Sequence, residues 1–265
     1  MLETNRLYHM DCMKGMAELP DEFFDLAVVD PPYGVGSVTY MPHTRTRAVN
    51  GFIDKYDVTL VTLSAKNQSA RHGNRYDVEH GRLTKSAIRG FGDYNTAPPP
   101  EYFKELFRVS KHQIIWGGNN FLLPPSRNFI VWDKRQSEDF SMAMAELAWC
   151  SMDGVVKIFR GQPMTNAADK DPQNIRIHPV QKPIALYLWI LNRYAKQSDR
   201  ILDTHVGSAS SLITCRRAGY EYLGFEIDER YYNAARERLD MEAAQPTVME
   251  MMMKMEPEGE PGSAR

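Results

Sequence analysis

A chain of 265 residues, 43% of them hydrophobic, with a net charge of -2 can bury one large α/β core and still carry an insertion. Its uninterrupted apolar runs fall short of the roughly eighteen residues of a membrane span, and the amino terminus lacks a charged stretch leading into an apolar one, so a soluble, cytoplasmic protein is expected. Cys12, Cys150 and Cys215 are far apart with no C-x-x-C pair, which argues against a zinc site or disulfide framework and for buried thiols.

The first predicted element is a strand from Phe24 to Asp30, built on the apolar run Phe24-Asp25-Leu26-Ala27-Val28-Val29. It delivers Asp30-Pro31-Pro32-Tyr33 to the carboxyl edge of a sheet, where open α/β folds bind ligands. The Asp30 carboxylate and the Pro31 carbonyl can each accept one N–H of an exocyclic amino group while Tyr33 stacks on its planar ring, and Pro31 and Pro32 hold the backbone in place. Taken alone, the tetrapeptide is equally well explained as a turn.

Residues 35–92 follow, with nine Lys or Arg against four Asp or Glu, so this segment is +5 within a chain of -2. Its periodicity is weak. A long basic insertion beside a candidate site reads as a phosphate-contacting loop, with Arg71, Arg75 and Arg82 as candidate contacts, against the competing reading of a solvated loop.

A helix is then predicted over Pro100–Val109, with Tyr102, Phe103, Leu106 and Phe107 as its apolar stripe. Three short strands follow: Gln113 to Trp116 before Gly117-Gly118, Asn128 to Trp132 before Asp133, and Ala145 to Trp149 before Cys150. A polar loop covers Gly161 to Arg176, and Pro183 opens a helix through Ala195 with Leu186, Leu188, Trp189, Ile190 and Leu191 available for burial. The last third is a β-α-β-α unit: strand Ile201–Asp203, helix Ser210–Ala218, strand Tyr222–Phe225 and helix Asp228–Met241. The expected fold is a doubly wound, mostly parallel, Rossmann-like α/β sheet. Residues 1–34 and 93–240 form its core, and 241–265 a flexible tail in which Met249–Met255 can form a short sticky helix.

Asp203-Thr204-His205-Val206-Gly207-Ser208-Ala209-Ser210-Ser211 runs from a strand end into a helix start, and Glu226 ends the next strand. A tight glycine turn admits a ligand to the backbone, and an acid one strand later can accept both hydroxyls of a ribose, an adenosine-binding layout. Asp203 would repel a pyrophosphate but welcome a cofactor with an amino group, such as S-adenosylmethionine. A capped strand-turn-helix with no ligand is the plainer alternative. Upstream, His178-Pro179-Val180-Gln181-Lys182-Pro183 sets Lys182 at a helix start, where it could pair with the carboxylate of an amino-acid moiety.

In this combination and order the motifs resemble the beta-class DNA amino-methyltransferases, in which an Asp-Pro-Pro-Tyr motif precedes a His-Pro-x-Gln-Lys-Pro motif and then the glycine motif. The likeness spans about residues 5 to 240. It extends to a compact phage-borne subgroup through Ile114-Ile115-Trp116-Gly117-Gly118-Asn119-Asn120-Phe121, Trp132-Asp133-Lys134-Arg135 and Ala145-Glu146-Leu147-Ala148-Trp149. It implies that Asp30, Pro31, Pro32 and Tyr33 hold a flipped base in double-stranded DNA, and that Asp11, Lys182, Asp203, His205, Gly207, Ser208 and Glu226 hold S-adenosylmethionine, with no metal. Phe121 resembles an aromatic lining position. Such enzymes tend to carry Asp at position 30 for adenine N6 and Ser for cytosine N4, so adenine is expected, with cytosine the nearest rival. Ala209 departs from the family, which usually has a final glycine there; a methyl group is tolerated at negative φ, and cofactor affinity turns on it. That departure motivates another rival, a DNA-binding protein with a vestigial pocket. A protein or RNA amide methyltransferase is disfavoured by Asp30 and the motif order, and a nicotinamide dehydrogenase by the lack of G-x-G-x-x-G. The sequence leaves the oligomeric state open, a homodimer included, as it does pairing with a restriction enzyme.

Overall fold

The computed structural model describes residues 2–33, 96–136, 143–163, 176–178 and 180–244. The 35–92 segment with Arg71, Arg75 and Arg82, most of the 161–176 loop and Met249–Met255 lie outside the described residues. The strands are β1 (Arg6–His9), β2 (Phe24–Val29), β3 (Ser110–Trp116), β4 (Phe129–Asp133), β5 (Ala145–Cys150), β6 (Lys157–Arg160), β7 (Arg200–Asp203) and β8 (Glu221–Glu226). The helices are α1 (Cys12–Ala17), α2 (Pro100–Val109), α3 (Ile184–Tyr194), α4 (Ser210–Ala218) and α5 (Glu229–Ala243), with a 3-10 turn at Gly118–Asn120.

The described strands form one sheet in the order β1-β8-β7-β2-β3-β5-β4-β6. The first five in that order run parallel, β5 is antiparallel to both β3 and β4, and β6 is parallel to β4. Helices α3, α4 and α5 lie together with β7, β8 and β1, whereas α1 and α2 pack on each other and on β8 and β3. These are opposite faces. Leu26 and Val28 enter the core with α3 and α4, while Ala27 and Val29 enter the core with α1 and α2, as the period of two in a strand requires. Burial on both faces is why β2 reads as a continuous apolar run.

The chain leaves β7 for β8 in one direction and β2 for β3 in the other, so the strand order reverses between β7 and β2. In a doubly wound sheet that reversal opens a crevice at the carboxyl edge. Asp203 ends β7 and Asp30 follows β2.

Local chemistry fixes the supports of that edge. Asp11 caps α1, its Oδ1 accepting from the Met13 amide at 2.9 Å. Arg108, in the last turn of α2, donates to the Leu19 carbonyl at 2.9 Å and the Met16 carbonyl at 2.8 Å, which satisfies acceptors at the end of α1 and ties the two helices together. Tyr102, Phe103, Leu106 and Val109 are the buried face of α2, and Phe107 is only half-buried.

Several details differ from the sequence reading. Strands β1 and β6 and helix α1 were not anticipated, because four to six residues are too few to show a period. In α3, Leu188 faces outward at 41% exposure and Tyr187 takes the buried position. Helix α5 continues to Ala243, past the expected tail boundary, because Glu242 is buried and receives the Arg217 guanidinium at 2.8 Å. Cys150 and Cys215 are buried, but Cys12 is only half-buried. Among the described residues no helix is long and apolar enough to cross a membrane.

Candidate active site

Because β1, β8, β7, β2 and β3 are parallel, their carboxyl ends emerge on one edge, carrying Asp11, Glu226, Asp203, Asp30 and Gly117 in that spatial order. Strand alternation puts Asp30 in phase with Leu26 and Val28, Asp203 with Ile201, and Glu226 with Tyr222, all on the face covered by α3 and α4. The electrostatics agree. Burial pushes the Asp203 carboxyl up to about 7, and the neighbouring charges of Asp30 and Glu226 add to that rise.

Asp30 has both oxygens engaged. Tyr33 donates its hydroxyl to Oδ1 at 2.5 Å, and the Lys182 ammonium donates to Oδ2. Tyr33 is therefore anchored to the carboxylate as well as presenting a ring, and burial with the Asp30 charge pushes its phenol well above the ordinary range. The ring packs directly on Gly117, where φ is +65° and a Cβ would lie 2.2 Å from Tyr33 Cε1. Phe121 stands edge-on to Tyr33 at 6.3 Å and 5.1 Å from Phe103, lining the same corner.

The glycine turn is held by Glu226. Its Oε2 accepts from the Gly207 amide and its Oε1 from the Asp228 amide, both at 2.8 Å. Gly207 has φ +54°. Asp203 is fully buried, accepting from the Ser211 hydroxyl and, at 3.0 Å, from the His205 amide. Thr204 points to the other face, 2.6 Å from the Tyr102 hydroxyl and 2.9 Å from His205 Nδ1. Burial pushes the His205 imidazole down to about 4, so it is neutral at pH 7. Ala209 has φ +63°, so the negative φ at which a methyl group would be tolerated is not met: the glycine the family usually carries matches the left-handed backbone that this turn imposes.

The upstream hexapeptide joins the two halves of the site. Gln181 Oε1 accepts from the Ile177 amide at 2.9 Å and shapes the loop. His178 lies against the turn, where a Cβ on Gly207 would sit 3.6 Å from its ring, and contacts the Tyr231 ring edgewise at 4.3 Å. Lys182 has partners within the protein that its sequence context did not show. It was expected to pair with a ligand carboxylate, but its ammonium is buried between Asp30 and Glu146 and lies 4.9 Å from the centre of the Trp116 ring. Burial alone would lower the Lys182 pKa; the two carboxylates outweigh it and raise the value.

Three buried charged neighbours of this site were not singled out from the sequence. Glu146 reaches Lys182 at 3.1 Å and Lys134 at 2.6 Å, and Lys134 is itself buried. The signal was alternation: Glu146 is in phase with buried Ala148 and Cys150, and Lys134 with buried Ile130 and Trp132. Arg238 is 2% exposed and donates to the Ser208 carbonyl, bracing the turn from α5. It shares a buried helical face with Ala235 and Glu242, three residues before it and four after.

The DNA methylase family matches residues 111–237, from β3 through most of α5. The type II methyltransferase M2.DpnII of Streptococcus pneumoniae is 22% identical over 258 residues, covering 89% of this chain and 90% of that protein. M2.LlaDCHI of Lactococcus lactis subsp. cremoris is 23% identical over 260 residues, covering 90% of each. Over residues 111–237 the chain is thus similar to the DNA methylase family, and over most of its length to type II methyltransferases. Its fold is shared with the PvuII DNA methyltransferase described as cytosine-N4-specific, with a TM-score of 0.52 at 11% identity over 96% of this chain and 91% of that one. In this chain the motif around Asp30 and the glycine turn before α4 meet at the sheet's reversal point, linked by Lys182 and His178.

Proposed function

We propose that the chain methylates the N6 amino group of adenine in double-stranded DNA, using S-adenosylmethionine, on a base turned out of the helix. The observation that supports it best is the placement of Asp30 beside the β7–β2 reversal, on the same face as Asp203 and Glu226. S-Adenosylmethionine supplies, when bound, an electrophilic methyl group on a cationic sulfonium centre. The residues fit such a molecule: the Glu226 carboxylate, with four lone pairs, can still accept from ribose hydroxyls beyond the Gly207 and Asp228 amides, and Gly207 carries no side chain at the turn. Asp203 is a buried carboxyl held by two neutral donors and gains from a cation at its side. Asp11, His205 and Ser208 complete the proposed binding edge; Lys182 serves the acceptor carboxylate instead.

Asp30 and the Pro31 carbonyl then accept the two N–H bonds of the target amine and leave its lone pair facing away from them. As nitrogen gains positive charge its hydrogens become more acidic, so these acceptors bind the transition state better than the ground state. Turning the base out costs a few kcal/mol, which stacking on Tyr33 helps offset. Asp30→Ala is expected to abolish methyl transfer while calorimetric S-adenosylmethionine affinity stays within a few fold. Near-normal turnover would remove Asp30 from the chemistry. Cytosine N4 is the second reading, favoured by the same geometry acting on a smaller ring, and nucleoside mass spectrometry separates the two products.

A further inference from the structure

Resting on the methyltransferase reading, we infer that Glu146 is a positioning residue for the acceptor carboxylate: it receives the Lys182 ammonium when a target amino group displaces that ammonium from Asp30. The starting point is an occupied acceptor. Both oxygens of Asp30 already hold donors of the protein itself, the Tyr33 hydroxyl and the Lys182 ammonium, so an incoming amine must replace one of them. Tyr33 is fixed by its packing on Gly117. Lys182 has somewhere to go, because Glu146 Oε2 stands 3.1 Å away and is buried without an aligned hydrogen bond. A buried oxygen in that state gains by taking a full hydrogen bond.

The shift also suits the charge that develops during transfer. An ammonium left on Asp30 would repel the positive charge growing on the target nitrogen. Moved onto Glu146, the same ammonium lies farther from that nitrogen and still balances the two acids. Lys134 sets how strongly Glu146 pulls, since it holds the other oxygen at 2.6 Å. The groups facing Lys182 are Asp30 and Tyr33 after β2, Trp116 on β3, Glu146 on β5 and His178 from its own loop.

The test is methyl transfer from radiolabelled S-adenosylmethionine to unmethylated plasmid DNA across pH 6 to 10, for wild type, Glu146→Gln, Glu146→Asp and Lys134→Gln. Glu146→Gln is expected to lower kcat by about 10- to 100-fold, with calorimetric cofactor affinity within about three-fold. It also moves the alkaline limb of the rate profile to lower pH, since Lys182 loses one of two anions while burial still favours its neutral form. Glu146→Asp recovers part of the rate. Lys134→Gln keeps the limb above the measured range, because Glu146 then faces Lys182 alone and Lys182 holds its proton at least as firmly. A Glu146→Gln enzyme within two-fold of wild type, or a slower one whose alkaline limb has not moved, overturns the proposal. Should Glu146→Gln fail to fold, a Glu146→Asp enzyme at the full wild-type rate, or a Lys134→Gln enzyme whose limb falls into the measured range, overturns it. An inactive wild type would sink the methyltransferase reading along with it, whereas an active wild type indifferent to these changes sinks this inference alone.

Discussion

Asp203 shows how one side chain can report on ligand chemistry. Its carboxyl titrates near 7 in the fold against 3.8 in its ordinary state, chiefly because it is buried. As pH rises through that window the unfolded chain releases a proton that the folded protein keeps, so this residue's contribution to stability falls, by about 4 kcal/mol in all, and levels off above pH 7. A cation beside Asp203 would reverse the cost by stabilising the carboxylate. S-Adenosylmethionine binding is therefore expected to tighten about ten-fold from pH 6 to pH 8 and to release a proton at the lower end. Calorimetry in two buffers of different ionisation enthalpy would measure that release. An affinity flat over this range, with heats independent of buffer, would place the cationic part of the ligand away from Asp203.

At the level of the element, the junction between β7 and α4 carries a mismatch that one substitution can relieve. Ala209 is the residue before α4, fully buried, with φ +63° and no side-chain cap. A left-handed backbone costs an alanine about 1–2 kcal/mol, and loss of its buried methyl would cost about 0.8 kcal/mol, so Ala209→Gly is expected to stabilise the protein by about 0.2–1.2 kcal/mol. Thermal unfolding should shift upward by a few degrees with cofactor affinity undiminished. An unchanged or lower Tm would mean that packing of that methyl outweighs the strain. Ala209 also marks where sequence reading stops: the glycine motif identified the turn, but the sign of φ is set by how the chain leaves β7. The long apolar run of β2, the Pro-opened helices and the β-α-β-α unit were legible because each shows its period locally. The partnership of Lys182 with Asp30 was not, since it spans 152 residues and exists only once α3 has packed on the sheet. Glu146 was hidden for a related reason, because a glutamate in a strand is read as buried only when the phase of its neighbours is known.

For the molecule as a whole, charge must be reconciled with the proposed polyanionic substrate. The chain is -2 overall, and its proposed catalytic edge is lined by Asp11, Asp30, Asp203 and Glu226, so that edge by itself gives no attraction for phosphate. The compensating charge is concentrated in residues 35–92, which enter the chain directly after the Asp30 motif and so are tethered to the proposed chemistry by sequence alone. If Arg71, Arg75 and Arg82 track phosphates there, each contact releases close to one counterion from duplex DNA, and log affinity falls against log salt with a slope of about -0.9 per contact. Replacing all three with glutamine is expected to flatten that slope by about 2–3, as measured by fluorescence anisotropy of a labelled duplex over a series of salt concentrations. Cofactor affinity and the rate at saturating DNA should stay close to wild type, because none of the three belongs to the proposed acceptor or cofactor groups. An unchanged slope would assign these arginines to solvent and move the search for phosphate contacts to other cations of the same segment, Arg45, Lys55 and Arg89 among them.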